Sequence, residues 1–428
     1  MALLALMTAP LVLLLVGSPP PGLGFLWDLA MALGFAGFTM MGAQFLLTAR
    51  FRRAAAPFGV DILYYLHRYL GVLALGLVVA HGAVAVADNP AILPALVPWK
   101  AQGHLAAGVV SLLVLVLIAV TSLARRRLRL PYDWWRVTHA GMAIAALALG
   151  AWHMHGVGYY LGDPLQRLLW GGLLATVAGV VVVVRVWRPW RLSRRPWRVA
   201  RITPERGDAW TLRLEPDGHR GFAFSAGQFA WVTLRSSPFL MREHPFSIAS
   251  SAWGSDGSLA FTIKELGDFT RTVGSIAVGE RAYVDGPYGA FCEARYPAPT
   301  LVFVAGGIGI APIMSMLRTL ADAGDTRPLV LLFAGSRWER LPFGDEILSL
   351  ARRLRLTAVF HLEAPPADWS GEHGWITPTS LAKYLPAVPS AAAYFLCGPM
   401  AMTRAVERML RSAGVPATRV HTELFDMA

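Results

Sequence analysis

Through residue 190 the chain is a series of long apolar runs separated by short polar breaks, and after it the runs become short. The long runs cover residues 2–16, 24–48, 61–86, 104–124, 133–158 and 164–186. About twenty residues of helix cross a hydrocarbon core, so this pattern predicts a six-helix transmembrane bundle. From residue 197 to 296 the apolar positions alternate over 210–214, 229–234, 258–263 and 281–285, broken by Gly, Pro and Asp. Short alternating strands with turn signals predict an antiparallel β-barrel. After residue 300 the strand-like runs 301–305, 329–334, 356–361, 393–396 and 419–424 alternate with a helical run at 313–321 and helical stretches around Glu346, Leu381 and Val406. Strand and helix alternation predicts an α/β fold, a parallel sheet covered by helices on both faces. The expected domains are 1–190, 191–296 and 297–428, joined first through a stretch at 185–201 rich in Trp, Arg and Pro.

A formal charge of +12 over 428 residues would suit a nucleic-acid partner if it were spread over a soluble surface. Its distribution points elsewhere. Arginines collect after the second run (Arg50, Arg52, Arg53), the fourth (Arg125, Arg126, Arg127, Arg129) and the sixth (Arg185, Arg188, Arg191, Arg194, Arg195, Arg198), whereas the alternate loops offer little beyond Lys100. By the positive-inside rule both termini and the soluble half are expected in the cytoplasm, in a bacterial-type inner or plasma membrane. The expected partner is membrane lipid, and no nucleic acid. Cys292 and Cys397 are the only cysteines, which leaves no disulfide framework or Cys-rich metal site. No internal repeat is evident beyond the histidine spacing that follows.

His67 and His81 stand fourteen residues apart in the third run, and His139 and His153 stand fourteen apart in the fifth. In a helix that spacing is about 21 Å of rise and about 40° of rotation, so each pair looks along one side. A lone histidine in a bundle is ordinarily a hydrogen-bonded packing residue. Two helices sharing one unusual spacing can instead oppose His67 to His139 and His81 to His153 at two depths, the arrangement that two stacked bis-imidazole haems require. His155 lies some 200° around the helix from His153, and His104 has no partner at fourteen; both are read as interfacial histidines. Arg68 and Arg136 stand near the inner level, where an arginine serves either a haem propionate or a lipid headgroup.

In the soluble half, Gly306-Gly307-Ile308-Gly309 follows a predicted strand and opens a predicted helix. Such a loop brings backbone N–H groups to a pyrophosphate at a helix N-terminus or simply makes a tight turn. It does not stand alone. His244-Pro245-Phe246-Ser247, Lys264 followed by Gly267-Asp268-Phe269-Thr270, Asp285-Gly286-Pro287-Tyr288-Gly289, Gly306 to Pro312 and Cys397-Gly398-Pro399 occur in one order, which closely resembles the ferredoxin-NADP reductase superfamily. Joined to six helices with paired histidines, the chain resembles the NADPH oxidase and ferric reductase family of transmembrane flavocytochromes.

The resemblance implies FAD, two haems b and NADPH or NADH as cofactors. It places His244, Pro245, Phe246 and Ser247 along the flavin with the Ser247 hydroxyl near N5, and Gly267 and Thr270, with Lys264 in the same segment, at its pyrophosphate. Gly306, Gly307 and Gly309, with Pro312 closing the motif, would receive the nicotinamide dinucleotide. Cys397, Gly398 and Pro399 would border the nicotinamide, and Glu423 and Phe425 would be the acidic residue and flavin-stacking aromatic that close the fold. Ser247, Cys397, Glu423 and Phe425 are thus the implied catalytic set, and His67, His81, His139 and His153 the implied iron ligands. Plant-type reductases have Arg and Tyr where this chain has His244 and Phe246, and the family oxidases end at the aromatic whereas three residues follow it here. Arg337, after the strand at 329–334, stands where a 2′-phosphate would lie, and an arginine fork suits that dianion.

The expected activity is transmembrane electron transfer from cytoplasmic NAD(P)H through FAD and two haems to a small acceptor outside. Dioxygen giving superoxide is preferred; a ferric chelate, or a periplasmic protein or quinone served by an electron-donating subunit, are the alternatives. Because the chain carries its own flavin and nucleotide domains, no obligatory protein partner is expected.

Overall fold

A computed structural model describes residues 12, 21–51, 60–254 and 256–423. The chain divides into two compact units, one of helices and one carrying both β-sheets. The helical unit contains α1 (Phe25–Thr48), α2 (Val60–Asp88), α3 (Gly103–Leu123), α4 (Tyr132–Val157) and α5 (Pro164–Val182). Among the described residues there are five helices long and apolar enough to cross a membrane. The expected first helix, 2–16, lies outside the described residues but for Val12. Asp163 caps the start of α5, accepting from the Leu165 N–H at 2.7 Å. At its other end α5 continues without a break through a π-helical turn, Val183–Trp187, into α6 (Arg188–Ser193). The bundle core joins Phe35, Phe38, Met40 and Met41 of α1 to Ala74, Ala146, Leu147, Trp170 and Val177.

The first sheet is antiparallel. It is built from β1 (Trp197–Glu205), β2 (Ala209–Pro216), β3 (Phe229–Leu234), β4 (His244–Ser247), β5 (Leu259–Lys264) and β6 (Arg281–Tyr288), in the order β4-β3-β6-β1-β2-β5. Trp197, Leu212, Leu214, Phe261, Ile263 and Val284 fill its interior, each large side chain contributing about 1.5–3 kcal/mol by leaving water. Strand β1 begins inside the Arg- and Pro-rich stretch that the sequence reads as a linker. Pro245 is tolerated because β4 is an edge strand, where a missing N–H breaks no ladder.

The second sheet is parallel throughout. It holds β7 (Leu301–Gly306), β8 (Leu329–Gly335), β9 (Leu356–Leu362), β10 (Glu372–His373), β11 (Ala393–Cys397) and β12 (Val420–Glu423) in the order β10-β9-β8-β7-β11-β12. Helices α7 (Ile310–Asp322), α8 (Gly344–Arg353), α9 (Pro378–Tyr384) and α10 (Met400–Ser412) complete it. Its strands are buried on both faces: Leu301, Phe303 and Ala305 of β7 join one core, Val302 and Val304 the other. Helix α7 also holds the barrel. Arg318 forms a two-pronged pair with Glu346 at 2.7 Å and donates to the Ala249 carbonyl at 2.6 Å, and Ser315 donates to the Ser250 carbonyl at 2.7 Å.

Candidate functional site

In the helical unit the four histidines meet in the pairs that the spacing predicts. The ring centres of His67 and His139 are 6.1 Å apart, and those of His81 and His153 are 6.2 Å apart. A metal–imidazole bond of about 2 Å, with the ring centre about 1.2 Å behind the nitrogen, would separate two imidazoles on one ion by roughly 6.4 Å. Among the described residues no group of three or more His, Cys, Asp or Glu is arranged for a metal ion. Each pair would offer an ion two imidazoles and no third side-chain ligand of these types among the described residues.

The hydrogen bonds behind the rings decide which nitrogen is bare. Nδ1 of His81 lies 2.8 Å from the Ala30 carbonyl oxygen, and Nδ1 of His153 lies 3.0 Å from that of His104. A carbonyl only accepts, so both Nδ1 atoms carry the proton and both Nε2 atoms keep a lone pair. Nδ1 of His139 meets Ser122 Oγ at 3.2 Å, and that hydroxyl already donates to the Ile118 carbonyl at 2.6 Å, so here too the imidazole is the donor. Three of the four rings are held in the tautomer that a metal needs, by the kind of second contact that orients ligating histidines. The fourth, His67, has a buried Nδ1 with no partner among the described residues.

Glycines make these contacts possible. A Cβ on Gly34 would stand 2.9 Å from Nδ1 of His81, and one on Gly108 would stand 2.7 Å from Nδ1 of His153. Gly71, one turn along α2 from His67, has nothing within 4 Å of its Cβ position. Ala30, Gly34, Gly108 and Ser122 were not found by sequence reasoning. The available signal was that Gly108 and Ser122 repeat the fourteen-residue spacing one helix away. His104, read as interfacial, serves through its backbone carbonyl. Arg136 lies over the Tyr132 ring at 5.5 Å, and Arg68 is exposed.

In the barrel, the His-Pro-Phe-Ser and Gly-Asp-Phe-Thr segments are brought together. The His244 ring stacks on Phe269 at 3.9 Å and 17°, and Phe246 lies 6.2 Å from the same ring. Ser247, 5% exposed, has a buried hydroxyl with no hydrogen-bond partner among the described residues. A buried orphan hydroxyl calls for a polar partner, which the edge of a bound isoalloxazine would be able to supply. Thr270 Oγ1 accepts from the Leu266 and Gly267 N–H groups at 2.9 Å each and so shapes its own loop, while Gly267 has nothing within 4 Å of its Cβ position. Lys264 ends β5, opposite Ala209.

In the parallel sheet the strand order reverses between β7 and β11, the place where open α/β sheets bind ligands. Gly306 to Gly309 leave β7 there and Cys397 to Pro399 leave β11. The glycines divide the work. A Cβ on Gly309 would strike the Cys397 carbonyl oxygen, and one on Gly306 would lie 2.7 Å from Met402 Sδ and 2.8 Å from Pro399 Cδ. Both are glycine so that two chain segments can cross. Gly307 alone of the three has φ +55° with open space at its Cβ position, which makes it the backbone a ligand can approach. Cys397 is wholly buried between Ala305 and Glu423 in adjacent strands. Burial first, and the Glu423 carboxylate second, push its thiol well above the ordinary range, so it offers no thiolate. Phe425 lies outside the described residues. Arg337 is exposed, three residues beyond Ala334, the residue that pairs with Gly306.

Comparison with known proteins matches residues 33–150 to the ferric reductase like transmembrane component, 197–291 to an FAD-binding domain and 303–408 to the oxidoreductase NAD-binding domain. Ferredoxin–NADP reductase B of Sorangium cellulosum is 33% identical over half of this chain and 91% of its own length. The propane 2-monooxygenase reductase component of Rhodococcus jostii is 31% identical over 53% of the chain, and a flavohemoprotein of Deinococcus radiodurans is 30% identical over 55%. The matches span 62% and 60% of those two relatives. A flavohemoglobin structure from Malassezia yamatoensis superposes with a TM-score of 0.50 over 94% of this chain and 96% of that one, at 18% identity, a likeness of fold. The chain therefore belongs, through its FAD- and NAD-binding half, to the ferredoxin–NADP reductase family, and with its ferric-reductase-like transmembrane component it has the architecture of the NADPH oxidases and ferric reductases and is an NAD(P)H oxidoreductase.

Proposed function

We propose that the protein carries electrons from NAD(P)H on the cytoplasmic side, through FAD and two haems b, to dioxygen on the outer side, releasing superoxide. The observation that supports this reading most is the double imidazole pair, with ring centres 6.1 and 6.2 Å apart and three Nδ1 protons committed behind the rings. When bound, the flavin would supply two-electron hydride acceptance and the haems one-electron transfer across the bilayer. The chain's own part is placement. His67 and His139 present Nε2 at the inner level and His81 and His153 at the outer, Ser247 offers its unpartnered hydroxyl to the flavin, and Gly307 opens the nucleotide loop. The arginines at 125–129 and 185–195 support this orientation.

Dioxygen suits the outer loops, which carry few ligands for anything larger. Between α2 and α3 they form short turns, Pro90–Leu96 and Pro98–Lys100, with Asp88 and Lys100 the charges nearby, and Asp163 is spent on capping α5. Fe(III) favours a cluster of hard oxygen ligands and an anionic chelate favours a basic patch; neither is present among the described outer residues. The family model's description favours ferric reduction as the second reading. NADPH-driven cytochrome c reduction is expected to fall when superoxide dismutase is added. Dismutase-insensitive reduction, with anaerobic turnover on ferric chelate saturating faster than on oxygen, would select ferric reduction instead.

For the nucleotide, Arg337 is assigned to the 2′-phosphate of NADPH. Arg337→Ala is expected to raise KM for NADPH about tenfold or more, the worth of one charge-assisted contact, and to leave KM for NADH unchanged. An unaltered NADPH-to-NADH preference would remove Arg337 from that role.

A further inference from the structure

The bundle is built twice. The Ala30 carbonyl and Gly34 of α1 hold His81 of α2, and the His104 carbonyl and Gly108 of α3 hold His153 of α4 in the same manner. Three residues further along α1, Gly37 packs on Val78 and on the Ala74 carbonyl oxygen, 3.3 Å from its Cβ position. Three residues beyond Gly108, Ser111 donates to the Ala146 carbonyl at 2.8 Å, with its Oγ 3.6 Å from the Cβ position of Gly150. Matching positions lie 74 residues apart between α1 and α3 and 72 apart between α2 and α4, at every one of these contacts. No repeat was expected from the sequence, because these matches rest on small residues and backbone carbonyls rather than on similar side chains.

Within each antiparallel helix pair, a step toward the C-terminus of one helix is an equal step toward the N-terminus of the other. In α3 and α4, fourteen residues from Gly108 and His153 lead to Ser122 and His139, which are hydrogen-bonded at 3.2 Å. In α1 and α2 the same step from Gly34 and His81 leads to Thr48 and His67. Thr48 has the chemistry of Ser122: its hydroxyl donates to the carbonyl four residues back, Gln44 O, at 3.1 Å, as Ser122 donates to Ile118 O at 2.6 Å. With the hydroxyl proton committed along the helix, the oxygen presents lone pairs to its side. His67 is the imidazole whose buried Nδ1 has no partner among the described residues.

We propose that Thr48 is the positioning residue of His67: the two are not hydrogen-bonded in this structure, and with haem bound Thr48 would accept the His67 Nδ1–H, as Ser122 accepts that of His139. The proposal rests on the two-haem reading above. A hydrogen bond from Nδ1–H strengthens the imidazole as a donor and so favours ferric over ferrous iron. Losing it shifts the potential of the inner haem upward.

The test is redox potentiometry of the full-length protein, with low-temperature electron paramagnetic resonance of the ferric state. The inner haem is identified as the one lost in His139→Leu. Thr48→Val, which keeps shape and removes the acceptor, is expected to raise the inner midpoint potential in the same direction as Ser122→Ala and to alter the inner ferric signal. The outer haem is expected to be unmoved and Thr48→Ser to behave as wild type. An unshifted inner haem in Thr48→Val, while Ser122→Ala shifts, would overturn the role of Thr48 and leave the haem reading standing. Loss of the inner haem in both Thr48→Val and Thr48→Ser would make the residue one of packing and overturn it equally. Wild-type protein without a bis-imidazole haem spectrum would remove the parent reading and this proposal together.

Discussion

If the proposed two haems are bound, His139→Leu is expected to halve the haem content and to abolish NADPH-driven reduction of the haem that remains, while flavin-dependent reduction of a soluble dye continues. The substitution removes one of two opposed imidazoles at the inner level, and a ring 6.1 Å from its partner has no nearby replacement on α4. Leucine is close in volume and at home in an apolar helix, so the bundle loses little. Ser122, left without the imidazole, keeps its bond to the Ile118 carbonyl and is not stranded. The outer pair, fourteen residues along each helix, retains its contacts with Ala30 and His104. Haem content by pyridine haemochrome, anaerobic reduction followed at the Soret band and ferricyanide reduction separate the three effects. Two haems with ordinary reduction in this variant would remove His139 as a ligand.

Gly309→Ala is expected to cost the nucleotide half about 3 kcal/mol or more of stability and to reduce kcat/KM for NADPH by about a hundredfold or more. The added methyl would meet the Cys397 carbonyl oxygen, with Gly398 N also only 2.8 Å away. Both are backbone atoms, held at the ends of strands in the middle of a buried sheet, and neither can swing aside as a side chain could. Gly307→Ala makes the informative contrast. Its Cβ position is open, so the cost is the left-handed backbone at φ +55°, about 1–2 kcal/mol. Binding weakens there while the fold persists. Thermal unfolding and steady-state kinetics on both variants check the division. A Gly309→Ala protein with wild-type melting and kcat/KM would show that the crossing at Cys397 yields more easily than its geometry implies.

What could be read from the residues follows a physical divide. Apolar runs and a fourteen-residue histidine spacing are properties of side chains, and the helices, the histidine pairs and the alternation of strand and helix in the nucleotide half follow from them. The carbonyls of Ala30 and His104 are the same group that every residue carries, so their selection by His81 and His153 is invisible until the helices pack. Gly34 and Gly108 were hidden for a related reason, since glycine is frequent in apolar helices whether or not it makes room for anything. Strand β1 was obscured by the arginines and prolines around Trp197, and β4 by Pro245, which an edge position tolerates. The motif glycines were legible as a set, but their division into Gly306 and Gly309 for chain crossing and Gly307 for open backbone needed the neighbours from β11.

That crossing also orders the events of assembly. The loop after β7 reads as a local motif, complete within a few residues, yet Gly306 and Gly309 take their places against Met402, Pro399 and Cys397, nearly a hundred residues further along the chain. Strand β11 is inserted beside β7 only after β8, β9 and β10 have been made on the other side. A contact of such long sequence separation carries a large loop-closure entropy and forms late. A nascent or truncated chain ending before β11 would thus hold every glycine of the loop and still lack the surface that shapes it, so competence to engage the dinucleotide arrives with nearly the last strand to dock.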